Sequence, residues 1–142
     1  MPNLKMTVEI ANVNWFLGQD PPEGTVTFKT ESGKLLDAFS YGQTFIDGEI
    51  ADVEFTTLDY GLEWGVVFSN NRQKERRLNK GQNAWEYEAY GEIKSIHPVI
   101  IDFGDIKLDT GNWTNDEKVI GEFVYWKIDR LDILKTGHNT GF

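Results

Sequence analysis

Cysteine is absent from the chain, which excludes disulfides and thiolate metal sites. Histidine is nearly absent. His97 precedes a proline between two apolar runs and reads as a turn residue, His138 lies near the end, and neither has a sequence neighbour placed to work with it as a general base. Long apolar runs are missing too. No stretch approaches the roughly 18–20 apolar residues that cross a bilayer. The opening "MPNLKMTVEI" carries one lysine and no continuous apolar segment, so no signal peptide is read and a cytoplasmic protein is expected. The sequon "NWT" at Asn112 then implies no glycosylation. There is no G-x-S-x-G elbow and no phosphate-cradling glycine loop. The letters "DFG" at residues 102–104 stand without the other segments of a kinase, and are read as a strand with a bulge at Gly104. Asp102, Asp105, Asp109, Asp116 and Glu117 follow no calcium-loop spacing. A non-enzymatic protein without metal or cofactor is expected.

Positive charge is also in short supply. Fourteen Lys and Arg stand against twenty-three Asp and Glu, for a net −9. Five of the fourteen fall in "SNNRQKERRLNKG", residues 69–81, beside a single Glu. That local +4 leaves −13 on the rest of the chain. A surface of that sign repels phosphate backbones and attracts basic partners.

What the chain does have is aromatic weight and alternation. Aromatic residues make up 13% of it, with five Trp, enough large apolar groups to fill a core at this length. In "AWEYEAYGEIKSI", Trp85, Tyr87, Ala89 and Ile93 share one face while Glu86, Glu88, Tyr90, Glu92 and Lys94 share the other, the period of a half-buried strand. "GEIADVEFTTL" alternates in the same way, with Asp52 and Glu54 outward, and "GTVTFKTESGKLLDAFSYG" reads as a hairpin turning at Ser32-Gly33. In "MTVEIANVNWF", "VIIDFGDIKL" and "EFVYWKIDRLDI" the apolar phase slips once, which predicts a β-bulge in each and a strongly curved sheet.

The basic stretch reads as a helix over 69–80. Ser69, Asn70 or Asn71 can cap it, Gly81 closes it, and Arg72, Lys74, Arg76, Arg77 and Lys80 ride on it. The whole is mainly β: about seven antiparallel strands and one helix in a single barrel domain, residues 1–134. A polar tail at 135–142 reads as flexible. This element order resembles the OB-fold, a small β-barrel family; a β-sandwich with an inserted helix is the alternative. The resemblance implies an oligosaccharide or nucleic-acid ligand, as such barrels commonly bind, with Trp15, Trp64 and Trp113 as a stacking platform. The residues themselves point first to an acidic binding module for a basic protein, such as a toxin or nuclease held by an inhibitor or immunity-type protein. Its contact row is Glu86, Glu88, Tyr90 and Glu92, spaced about 6.6–7 Å apart along one strand face, with Asp52 and Glu54 as a second row. Nucleic acid is the less favoured partner, since acidic residues surround the basic cluster and no ring stands within it.

Overall fold

The computed structural model describes residues 4–59 and 62–136. The tail from residue 137 on, with His138, lies outside the described residues. In chain order the elements are β1 (Met6–Trp15), β2 (Glu23–Lys29), β3 (Leu35–Tyr41), β4 (Ile50–Leu58), a single helical turn α1 (Trp64–Val67), β5 (Arg77–Lys80), β6 (Tyr87–Ser95), β7 (Ile100–Asp102), β8 (Lys107–Asp109), a 3-10 turn (Glu117–Val119), β9 (Phe123–Ile128) and β10 (Arg130–Lys135). The fold is mainly β, as the alternation predicts.

Five strands close a barrel in the order β1-β2-β3-β10-β4. Its interior is the alternate apolar set: Val8 and Ile10, Val26 and Phe28, Leu36 and Ala38, Val53 and Phe55, Leu131 and Ile133, all nearly or fully buried. Each large aliphatic or phenyl side chain so buried contributes on the order of 1.5–3 kcal/mol. β1 is long enough to serve two neighbours, pairing β4 through Met6–Glu9 and β2 through Glu9–Trp15. It bends between them at a register shift between Ile10 and Asn12, where the first phase slip predicts a bulge. At Gly24, opposite Trp15, β2 runs so close that a Cβ would lie 2.4 Å from the Asn14 carbonyl oxygen. Only glycine fits there. The β2–β3 hairpin turns where predicted, with the Gly33 N–H donating to the Thr30 carbonyl at 2.9 Å.

The other two slips have different causes. Across Gly104 the chain makes a hairpin from β7 to β8 rather than a bulge. The Asp102 carboxylate accepts the Gly104 N–H at 2.8 Å, and Gly104 holds φ +91, a left-handed value that glycine adopts without strain. At Asp129 the chain leaves one sheet for the other. β9 pairs β6 in a second sheet, and β10 one residue later closes the barrel against β4. That second sheet, formed by β5 to β9, is inserted between β4 and β10. Two of the seven predicted strands are therefore two strands each.

A tenth strand replaces the predicted helix. Residues 69–76 are turns and irregular chain, and Arg77–Lys80 pair with β6. The Asn71 side chain explains this. Its amide donates to the carbonyls of Glu75 (3.0 Å) and Val124 (3.1 Å), while its oxygen accepts the Glu75 N–H at 2.8 Å. Such side-chain bonds to the main chain compete with helix formation. Leu78, the one large apolar residue of the stretch, becomes fully buried opposite Ala89, which no isolated helix with one apolar residue achieves.

The barrel closes through one parallel pair, β3 with β10, and the register there has a single rung, Phe39 with Asp132. Side chains and one main-chain bond from outside the two strands finish the seam. The Tyr87 hydroxyl, from β6, donates to the Asp37 carbonyl and accepts the Asp37 N–H, both at 2.8 Å. The Trp85 carbonyl accepts the Leu131 N–H at 2.9 Å. At the other end the Gln43 amide takes the Lys135 N–H at 2.7 Å and donates to its carbonyl at 3.4 Å. The inserted sheet thus helps to close the barrel.

Candidate aromatic binding site

The sequence places Trp64 and Trp113 far apart, and the fold stacks them. Glu63 remains extended and makes no side-chain cap, so α1 is one turn, anchored by the buried Val67 and closed by the Phe68 N–H on the Trp64 carbonyl at 3.1 Å. The turn leaves Trp64 47% exposed and Phe68 38% exposed. Trp113 comes from the segment after β8. There the Thr110 N–H and hydroxyl both donate to the Val99 carbonyl at 2.8 Å, and the Val99 N–H donates to Gly111. The Trp113 indole N–H donates to the Thr110 hydroxyl at 2.9 Å, which fixes its ring plane. Trp64 then stacks on Trp113 with centroids 4.7 Å apart and planes at 29°, and Phe68 meets Trp113 edge-on at 6.0 Å.

Beneath both lies Trp126 of β9. It is almost fully buried, 6.0 Å from Trp64 and 5.8 Å from Trp113 between ring centres. Its indole N–H donates to an Asp59 carboxylate oxygen at 3.1 Å, and the Thr57 hydroxyl donates to the same oxygen at 2.8 Å. The other Asp59 oxygen is buried without a partner among the described residues. Burial raises the pKa of this carboxyl above the usual range, against the lowering effect of those two hydrogen bonds. The result is a ledge of two stacked indoles, Trp64 exposed and Trp113 partly buried, over the buried ring of Trp126. A cleft of about 340 Å³ runs along it, lined by Trp64, Phe68, Trp113, Thr114, Asp116 and Val119. Its lining contains no lysine or arginine.

No protein-family model, curated protein or solved structure matches the chain.

Trp15, the third member of the predicted platform, packs half-buried against the barrel core at the end of β1. No ring contact joins it to the other two among the described residues. Phe68, Trp126 and Asp59 were not legible as part of the ledge. Phe68 had a faint signal, four residues beyond Trp64, whereas Trp126 and Asp59 arrive from distant strands.

Of the predicted acidic row, Glu88, Tyr90 and Glu92 lie on the outer face of β6 and Glu86 just before it, but cations are interleaved with them. Glu86 pairs with Lys127 of β9 and accepts the Gln82 N–H at 2.8 Å. The hydrogen bond from Lys127 is the main reason its carboxyl lies below the usual range. Glu92 pairs with Arg76 and lies 3.6 Å from Lys94, and the hydrogen bond from Arg76 lowers its pKa likewise. Tyr90 is half-buried, packed on Tyr125 with centroids 5.4 Å apart and covered by the Arg77 guanidinium at 4.6 Å. Glu88 is exposed, and its register partner on β9 is Lys127. Asp52 accepts the Thr7 hydroxyl at 2.7 Å and lies 3.9 Å from Lys5; Glu54 sits half-buried on β4 opposite Leu134. Of the basic stretch, Lys80 bonds Asp37 at 2.9 Å and Arg77 bonds Glu75, while Arg72 and Lys74 are exposed. His97 is an exposed turn residue between β6 and β7.

Proposed function

We propose that this protein binds an uncharged oligosaccharide on the Trp64–Trp113 ledge. The observation that carries the reading is the stack itself: two indoles brought together from separate segments, Trp64 exposed and Trp113 partly buried, over a buried third and beside a cleft lined by Thr114 and Asp116. Flat apolar ring faces suit the C–H faces of a pyranose, and hydroxyl and carboxylate groups at the rim suit its hydroxyls. A nucleic acid also stacks on rings, but it requires cations along its backbone, and the cleft lining offers a carboxylate instead. Catalysis gains little support. The Asp59 carboxyl, though perturbed, gives its bonded oxygen to Thr57 and Trp126 rather than lining the cleft.

We also read the barrel as OB-like. On that reading the whole inserted sheet is the connection between the fourth and fifth barrel strands, one of the loops by which OB barrels take oligosaccharides and oligonucleotides. The basic-protein reading rests on carboxylates free to steer a partner, and Arg76 before β5 and Lys127 of β9 pair with Glu92 and Glu86 of that row.

Tryptophan fluorescence titrated with neutral gluco- and xylo-oligosaccharides, and with single-stranded DNA, tests the reading. Where measured for bases, stacking is worth about 1–3 kcal/mol per ring. Trp64→Ala and Trp113→Ala are therefore each expected to weaken glycan binding roughly tenfold to a hundredfold, with no response to DNA. A flat response across all the sugars, or undiminished affinity in both variants, would overturn it.

A further inference from the structure

We propose that the β3–β10 seam carries a second, independent binding site, one that takes an arginine or lysine side chain of a basic protein partner. The seam parts beyond its single rung, and a cleft of about 460 Å³ opens there, within the range of ligand-holding pockets. The apolar part of its lining comes from Phe39, under the Arg130 guanidinium, from the exposed Leu134, and from Ile133 of the barrel core. Tyr41 stands at the side, 59% exposed, and Glu23, its register partner on β2, shares the rim.

The protein already displays the binding mode at this place. Arg130 lies in the same cleft with its guanidinium 4.4 Å above the Phe39 ring, while Asp132 accepts from its Nε at 2.7 Å and from a terminal nitrogen at 3.0 Å. A cation on a ring, closed by a carboxylate, is a favourable way to hold guanidinium. Asp132 balances the charge of Arg130. Glu23 has no ion-pair partner among the described residues and shares the rim with the exposed Tyr41, and Glu54 adds a second carboxylate next to Leu134 on the neighbouring strand. A long basic side chain laid along this cleft packs its methylenes on the exposed Leu134 and brings its head to Tyr41 and Glu23. The excess negative charge of the chain favours the approach of such a partner.

The test uses the full chain, isotopically labelled, and two synthetic peptides, Ac-Gly-Arg-Gly-Arg-Gly-NH2 and the same peptide with citrulline for arginine, which keeps the shape and removes the charge. The arginine peptide is expected to shift the main-chain amide resonances of Glu23, Tyr41 and Leu134 saturably. The citrulline peptide, or Glu23→Gln in the protein, is expected to weaken the effect at least fivefold. Equal binding of both peptides, shifts confined to other surfaces, no shifts, or an unchanged Glu23→Gln variant would each overturn the proposal. So would concentration-dependent shifts of the same amides without peptide, which would place a second copy of the chain in the cleft. Tyr41 and Glu23 take no part in the Trp64–Trp113 ledge, so either site can fail alone.

Discussion

Asp59 is the residue at which the structure sacrifices stability most visibly. It is a largely buried carboxyl with one oxygen unpartnered among the described residues, and its pKa is raised chiefly by burial, with Asp129 adding repulsion. A carboxyl whose folded value lies above its unfolded one is charged at a cost at neutral pH. That cost is relieved as the pH falls through the folded value toward the ordinary 3.8. Asp59→Asn removes the titration and keeps an acceptor for Thr57 and Trp126. Relative to the parent, the variant should therefore be more stable at pH 7 than at pH 4.5. Urea unfolding of both proteins at the two pH values measures this, and parallel profiles would contradict it. Glu86 and Glu92 act in the opposite direction: their lowered values mean that the stability they lend is present above the ordinary carboxylate range and fades as acid protonates them. None of this was legible in the sequence, because Asp59 reads there as one more acid at a strand end.

Among the elements, the parallel seam decides whether the barrel is closed, and beside its single rung the Tyr87 hydroxyl occupies the Asp37 main-chain groups. Removing the hydroxyl leaves the Asp37 N–H and carbonyl unpaired beside an otherwise buried ring. Tyr87→Phe should cost about 1–3 kcal/mol and speed hydrogen exchange at the Asp37 amide far more than in the β1–β2 ladder. Uniform acceleration across both ladders would show that the seam is no weaker than the rest. The sequence reads Tyr87 correctly as an inward residue but not its target, since a hydroxyl bonding to a strand fifty positions away leaves no local pattern. The same limit explains the phase slips. A slip records that the buried face changes; a bulge at Ile10, a hairpin at Gly104 and a change of sheet at Asp129 all produce one. At 69–80 local cues to a helix were real, but Asn71 bonds to β9 and Leu78 packs under β6, and tertiary contacts outweighed propensity.

On the scale of the molecule, alternation was enough for a curled β wall with its aromatic core, because a period of two registers burial residue by residue. Charge was legible only as a sum. The chain carries −9, yet along β6 and its flanks Arg76, Lys94 and Lys127 are set among Glu86 and Glu92. The imbalance therefore gathers elsewhere, including the rim of the seam cleft. Aromatic residues were legible as a count, and Trp15, Trp64 and Trp113 as platform candidates; which two stack depends on α1 and on the Thr110 turn meeting over β9, which no spacing encodes. The central claim is that this stack is a sugar-binding surface. A glycan array bearing neutral, sulfated and uronic-acid chains, read with labelled parent protein and with Trp64→Ala, tests it most directly. The parent should retain neutral chains and pass over the charged ones, and Trp64→Ala should lose the neutral signal; retention of only the anionic chains, or identical patterns for the two proteins, would contradict it.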